Sequence, residues 1–393
     1  MIANSRRAVN LTKIVAAVLG FYASIYLIWP QINERYRETN WSSLGRSALS
    51  DDLLAHTQNE TLGFEHVYAI GLKERTDKRD FLTLASVIAG FKVDWIDGVR
   101  PDDLDSRSLP NGVDLNVMKP SAVACWRAHM NALNKVLQNS HTTALILEDD
   151  ADWDVSLKHQ LREFARGIRH LNHEQSAPQD SPYGTNWDIL WIGGCASSPA
   201  SNETTFFAIP DDPTVPSVDV RDGWGGPLDD WKAQYPNLPV ETTRFVYRAE
   251  MGCCTYGYAV TQQGARRILA ALSLDRLDGA VDNAMSDLCA GAGSSSDRRR
   301  RLRCFAPFPN LIGTYRAAGP ASRDSDINGV SEEYYHGAEA WNLVFSTRLN
   351  IHRLVGGERS VYSQHRNKRT GSITELELEG IEYPGGFLVG DSE

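Results

Sequence analysis

Residues 143–147, Thr-Ala-Leu-Ile-Leu, run directly into Glu148-Asp149-Asp150-Ala151-Asp152, and this junction constrains the fold more than any other stretch. A short uncharged run of this kind suits a strand buried on both faces. Just upstream, residues 120–138 carry Val123, Trp126, Met130, Leu133 and Leu137 at spacings of three and four, the apolar stripe of a helix packed along one side. Before that, residues 66–72 read as a buried strand. Residues 76–89 read as a helix ended by Gly90, and residues 92–97 as a second strand stopped by Gly98. This alternation predicts an α/β domain with a mostly parallel sheet flanked by helices. Ligands of such sheets bind beyond the carboxyl ends of the strands, where the acids lie.

Consecutive carboxylates at a strand end repel one another, and a divalent cation relieves the repulsion. Mn²⁺ and Mg²⁺ take oxygen ligands, typically a few carboxylates and substrate phosphates. Alternate residues of a strand face the same side, so Glu148 and Asp150 are the metal candidates, Asp150 the more direct, with Asp149 and Asp152 second. The competing explanation is an acidic loop capping the next helix, favoured by the helix dipole.

The chain has 393 residues, and 40 Lys and Arg against 50 Asp and Glu leave a net charge of −10. That balance excludes a nucleic-acid partner bound through a broad basic surface. Residues 14–29 contain no charge and follow Arg6, Arg7 and Lys13. Sixteen residues of helix span about 24 Å, enough for a thin bilayer with interfacial flanks. The preceding basic residues place the N-terminus in the cytosol. The expected organisation is a cytosolic tail (1–13), a transmembrane signal anchor (14–30), a polar stem (31–62), a catalytic domain (63–369) and an acidic tail (370–393). A cleaved signal peptide is the alternative and would give a secreted protein. Either route exposes the body to the secretory lumen, as do three glycosylation sequons beginning at Asn40, Asn59 and Asn202. All six cysteines lie after residue 120. Cys289 and Cys304 flank a Gly/Ser/Arg loop and are expected to pair, while the adjacent Cys253 and Cys254 should face different partners.

Several blocks, in one order, carry a resemblance. They are Val67 to Arg79, including Arg75-Thr76-Asp77-Lys78-Arg79; Asp94-Trp95-Ile96-Asp97-Gly98; Ala124-Cys125-Trp126-Arg127-Ala128-His129; the strand ending Glu148-Asp149-Asp150; Trp187 to Cys195; Cys254 to Ala265; Ser325-Asp326-Ile327; and Ser346 to Asn350. Together they resemble glycosyltransferase family 25, the lipooligosaccharide and procollagen galactosyltransferases, and look most like its fungal branch. Gly71 departs from the usual Asn of the first block, and residues 223–230 have no counterpart. The resemblance implies a GT-A type fold after the anchor. It also implies inverting, metal-assisted transfer of a sugar, galactose foremost, from a UDP-sugar to a glycan or glycoprotein acceptor in the Golgi or endoplasmic reticulum membrane.

Within that frame Arg75 and Arg79, four apart, are candidates for the diphosphate or nucleoside, because guanidinium groups grip phosphate bidentately. Asp97 sits at a strand's carboxyl end, within reach of ribose or uracil donors. Glu148 serves metal and nucleotide together, and Asp326 approaches the diphosphate or the metal, unless it is simply a loop-turn residue. An inverting transfer needs a base to take the acceptor's proton. Ala280-Val281-Asp282 resembles the family's late Val-Asp segment, which makes Asp282 the candidate, with Glu250 and Asp287 in reserve. His129 beside the apolar stripe reads as a satisfied core histidine, and His336, His352 and His365 are unselected metal candidates. The turn at Trp224 and the basic run from Arg298 read as surface features, and the Tyr334-Tyr335 pair as packing or acceptor stacking. Two other classes share these residues: a non-catalytic carbohydrate- or nucleotide-binding descendant, and a metal-dependent phosphoesterase, which would want more histidines for a two-metal site.

Overall fold

The computed structural model describes residues 51–174, 181–200, 203–221, 228–291, 301–327, 333–367, 370–381 and 383–390. The proposed cytosolic tail and anchor, residues 31–50 of the stem, and the sequon asparagines Asn40 and Asn202 lie outside them. So do the Trp224 turn and the start of the basic run. Among the described residues, no helix is long and apolar enough to cross a membrane.

Strand β1 (His66–Gly71) leads to helix α2 (Thr76–Ile88) and strand β2 (Asp94–Asp97), after a short helix α1 (Asp51–Ala55). Helix α3 (Pro120–Gln138), β3 (Thr143–Glu148), β4 (Ala151–Trp153) and α4 (Leu157–Leu171) follow. The second half contributes β5 (Ile189–Gly193), β6 (Ala196–Pro199), β7 (Phe206–Ile209), α5 (Leu228–Gln234), β8 (Arg244–Cys253), β9 (Gly257–Thr261), α6 (Gln262–Leu269), α7 (Val281–Ala290), β10 (Cys304–Phe308) and β11 (Ile312–Arg316). Short strands β12 (Gly319–Pro320), β13 (Tyr334–Tyr335) and β14 (Glu339–Ala340), helix α8 (Ile351–Val355), the hairpin β15 (Ser360–Arg366) and β16 (Ile373–Glu377), and β17 (Phe387–Val389) complete the chain.

The main sheet runs β17-β7-β8-β10-β5-β9-β3-β1-β2. Strands β1, β2, β3, β5, β7 and β10 point one way, with β9, β8 and β17 against them. The sheet is therefore mostly parallel in direction, as expected, but mixed. Side chains alternate between two cores: Tyr68, Ile70, Ala144 and Ile146 pack under α3, α6 and α7, while Val67, Ala69, Leu145 and Leu147 pack under α2 and α4. The predicted stripe of α3 is the one that docks, with Val123, Trp126, Met130 and Leu133 fully buried. Beyond Asp150 the chain leaves this strand order but stays in the sheet, where β4 pairs antiparallel with β11 and β11 in turn pairs with β5.

Two boundaries differ from expectation. The composition extends the polar stem to residue 62, but Leu54 and Leu62 are fully buried, and the Tyr183 hydroxyl donates to the Leu62 carbonyl at 2.7 Å. Two leucines in a polar segment suffice to dock it on the core. The acidic tail is likewise part of the fold. The alternation Ile373-Thr374-Glu375-Leu376-Glu377 forms a hairpin strand, and β17 closes the sheet edge beside β7. Disulfides join Cys289 to Cys304, the expected pair, and Cys195 to Cys254; the free Cys253 thiol lies 2.7 Å from Cys195 Sγ, so the two adjacent cysteines converge on one partner and do not face different ones as expected.

Candidate functional site

The carboxyl ends of β1 and β3 open into a cavity. Its walls are the first turn of α2, the start of α3, the acid turn after β3 and the loop at Ser325 to Ile327. Four carboxylates line it, from Glu148, Asp149, Asp150 and Asp326, and Lys78 is the only lysine or arginine among the lining residues. A larger cavity of about 690 Å³ lies elsewhere, among Arg248, Arg267, Arg301 and Arg303. We place the site by convergence of chemistry and not by size.

Glu148 ends β3 under a tight set of donors. Thr255 Oγ1 donates to its Oε1, and His129 Nε2 lies 3.3 Å from the same oxygen. Burial raises the Glu148 carboxyl, but these neighbours and Lys78 outweigh it and hold the group below the usual range. His129 is buried, with Nδ1 3.2 Å from the Tyr258 hydroxyl. It is the satisfied core histidine the sequence suggested, and it also lines the cavity. Asp149 is buried, and its Oδ1 accepts from Lys78 Nζ at 3.1 Å. Asp150 Oδ1 is buried without a hydrogen-bond partner. Burial first, then Glu148 and Asp149, push the Asp150 carboxyl up to about 7 against the pull of Lys78. An orphaned buried carboxylate oxygen in an acid-rich cavity fits a cation in donor type.

The other candidates divide. Arg75 and Asp326 come together across the chain: Arg75 Nη1 donates to Asp326 Oδ1 at 2.8 Å and Oδ2 at 2.6 Å, and Arg75 Nε reaches Asp77 at 3.0 Å. Arg79 binds the Gly71 carbonyl at 2.7 Å and Asp97 at 2.5 Å, so these two residues tie down the end of β1 and are absent from the cavity lining. Asp282 is the second residue of α7 and accepts from the Cys254 backbone N–H at 2.9 Å, close to the cavity but outside its lining. Glu250 pairs with Arg301 at 2.8 Å beside the larger cavity. His336, His352 and His365 do not line the site. Among the described residues, two sets of three His, Cys or acid ligand atoms lie within 4.8 Å of one another. One is Cys125, His129 and Glu148, and the other is Cys195, Cys253 and Cys254, which contains the disulfide.

Three contributors escape a reading of the sequence. Lys78 sits between the two arginines singled out, three residues after Arg75, and only the helix's orientation shows that it turns inward. Thr255 belongs to the Cys254 block but carries no charge to attract notice. Arg348 is buried under the acid turn, where its Nη2 donates to the Asp149 carbonyl at 2.8 Å and its guanidinium lies 4.9 Å from the Phe81 ring centre. The departure at Gly71 also finds its cause. A Cβ there would stand 2.7 Å from Asp149 Oδ2 and 2.8 Å from Asp149 Cβ, so an Asn side chain and this placement of Asp149 exclude each other.

No protein-family model matches the chain. It is similar to procollagen galactosyltransferase 1 of Danio rerio, with 24% identity over 147 residues, which is 35% of this chain and 22% of that protein. The chain thus matches about a fifth of that relative's length. Among solved structures it is similar to mannose-1-phosphate geranyltransferase from Thermus thermophilus, with a TM-score of 0.22 and 10% identity, covering 61% of this chain and 57% of that one.

Proposed function

We infer that this chain is a glycosyltransferase of GT-A type that transfers a sugar, galactose foremost, from a UDP-sugar to a glycan or glycoprotein acceptor with inversion. The observation that carries the reading is the cavity beyond β1 and β3, where four carboxylates face one ammonium and one carboxylate oxygen is orphaned. Even with Asp326 paired to Arg75, the carboxylates of Glu148, Asp149 and Asp150 outnumber Lys78, and a divalent cation would offset that charge beside a dianionic diphosphate. Mn²⁺ or Mg²⁺ held by Asp150 and Glu148 would supply Lewis-acid stabilisation to the departing nucleotide. The partial similarity to a galactosyltransferase supports the same class.

The chain's own residues then have defined tasks. Thr255 and His129 orient Glu148. Arg348 holds the Asp149 carbonyl and so fixes the acid turn. Arg75 pins Asp326, and with it the loop that roofs the cavity. Asp282, anchored on the Cys254 N–H, is the proposed base for the acceptor hydroxyl. Two disulfides and the uncharged run at residues 14–29 support a membrane-anchored lumenal enzyme of the Golgi or endoplasmic reticulum.

The test is a thermal-shift screen of UDP-sugars with and without Mn²⁺, since a ligand that binds the folded form raises its stability by mass action. Transfer or slow hydrolysis of UDP-galactose is expected to require the ion. Asp150→Asn should lose at least the roughly 10–100-fold that removal of an outer metal partner already costs. Full turnover in that variant would exclude the metal assignment.

A further inference from the structure

Lys78 projects from the first turn of α2 with its side chain 11% exposed. Its Nζ lies 3.1 Å from Asp149 Oδ1, 3.4 Å from Asp326 Oδ2 and 3.9 Å from Asp150 Oδ2. These acids come from two separate segments, the turn after β3 and the loop that roofs the cavity. The neighbouring cations are otherwise engaged. Arg75 is held by Asp77, Asp326 and the Arg323 carbonyl, Arg79 by the Gly71 carbonyl and Asp97, and Arg348 by the Asp149 carbonyl. The Lys78 ammonium thus lies within 3.9 Å of all three acids. The position a free divalent ion would take beside Asp150 is therefore guarded by a like charge.

Resting on the nucleotide-sugar reading above, we propose that Lys78 is an exchangeable counterion: it neutralises the acid turn while the donor is absent, keeps a free divalent ion off Asp150, and passes to the diphosphate when nucleotide and ion enter together. A lysine suits this exchange because its ammonium is a compact charge on a flexible stem with three rotatable donors, whereas a forked guanidinium is committed to planar partners. The ion and the nucleotide then bind with positive coupling, and the coupling is reciprocal, each raising the other's affinity by the same factor. At about 4 Å, like-charge repulsion in a partly buried site changes affinity by more than about tenfold.

The experiment uses the full chain in detergent micelles. Mn²⁺ binding is followed by loss of the free-ion electron paramagnetic resonance signal, and UDP binding by calorimetry. The wild type is expected to bind Mn²⁺ about tenfold or more tightly when UDP is present. Lys78→Met should bind Mn²⁺ alone about tenfold more tightly than the wild type and bind UDP with Mn²⁺ more weakly, so that the coupling collapses. Lys78→Arg, which keeps the charge, should leave Mn²⁺ alone weakly bound. A merely structural lysine would move both affinities down together, so an unchanged or weakened Mn²⁺ affinity in Lys78→Met overturns the proposal. If Lys78→Met does not fold, Lys78→Gln is held to the same criterion. If the wild type binds no UDP even with Mn²⁺, the nucleotide reading falls and takes this proposal with it. If UDP binds but the Mn²⁺ affinity of Lys78→Met does not rise, only the exchange falls.

Discussion

At Gly71 a missing side chain shapes the site more than any residue present there. The Asp149 carboxylate occupies the volume a Cβ would fill, and from that place it reaches Lys78. Gly71→Ala therefore forces Asp149 aside. We expect a destabilisation of about 1–3 kcal/mol, the usual cost of overpacking a filled interior, read from urea unfolding. The same variant should loosen the ammonium of Lys78. An unaltered midpoint would show that the turn can move freely, contrary to its anchoring by Arg348. In the sequence, Gly71 is visible only as a departure from a pattern. The reason for it lies in a residue 78 positions later, and no local spacing announces such a contact.

Among the elements, those with strong periodicity are legible. Helix α3 has the predicted bounds, and β1 and β3 sit where uncharged runs place them. Helix α2 is equally legible as a helix, yet the three cations at its start, Arg75, Lys78 and Arg79, take three different duties that depend on the partner across the sheet. The periodicity gives the face and leaves the partner open, because Asp326 arrives from a loop with no period of its own. The C-terminal segment is obscure for the opposite reason: its acids hide an alternating strand, and β17 is only three residues long. Its docking rests on Phe387, which is buried, and on Tyr383, whose hydroxyl donates to Asp212 in the buried Asp212–Arg244 pair. Removing residues 380–393 should cost about 3–6 kcal/mol, from one buried aromatic and one hydrogen bond to a charged group. A chemical-denaturation midpoint unchanged by the truncation would return the segment to the status of a tail.

Across the whole molecule, stability should depend on acid through His170. The ring is buried against Phe207, and burial together with Arg166 lowers its pKa to about 4 from an ordinary value of 6.5. A base depressed in the folded state contributes stability that is complete above the unfolded pKa and is lost as pH falls toward the folded one. The stability difference between the wild type and His170→Gln should therefore shrink as pH drops from 6.5 to 4, measured by thermal melts across that range. A constant difference would place the acid sensitivity elsewhere.

The contacts of Arg75 with Asp326 and of Arg348 with Asp149 also set a timetable. The ribosome delivers Glu148, Asp149 and Asp150 about 200 residues before Arg348, an interval on the order of ten to forty seconds at ordinary elongation rates. During that interval the acid turn has neither its roof nor its brace. A nascent chain therefore carries the cluster of acids without a cavity to concentrate them. The cavity beyond β1 and β3 is complete only when the last third of the polypeptide has been made and folded back onto the first.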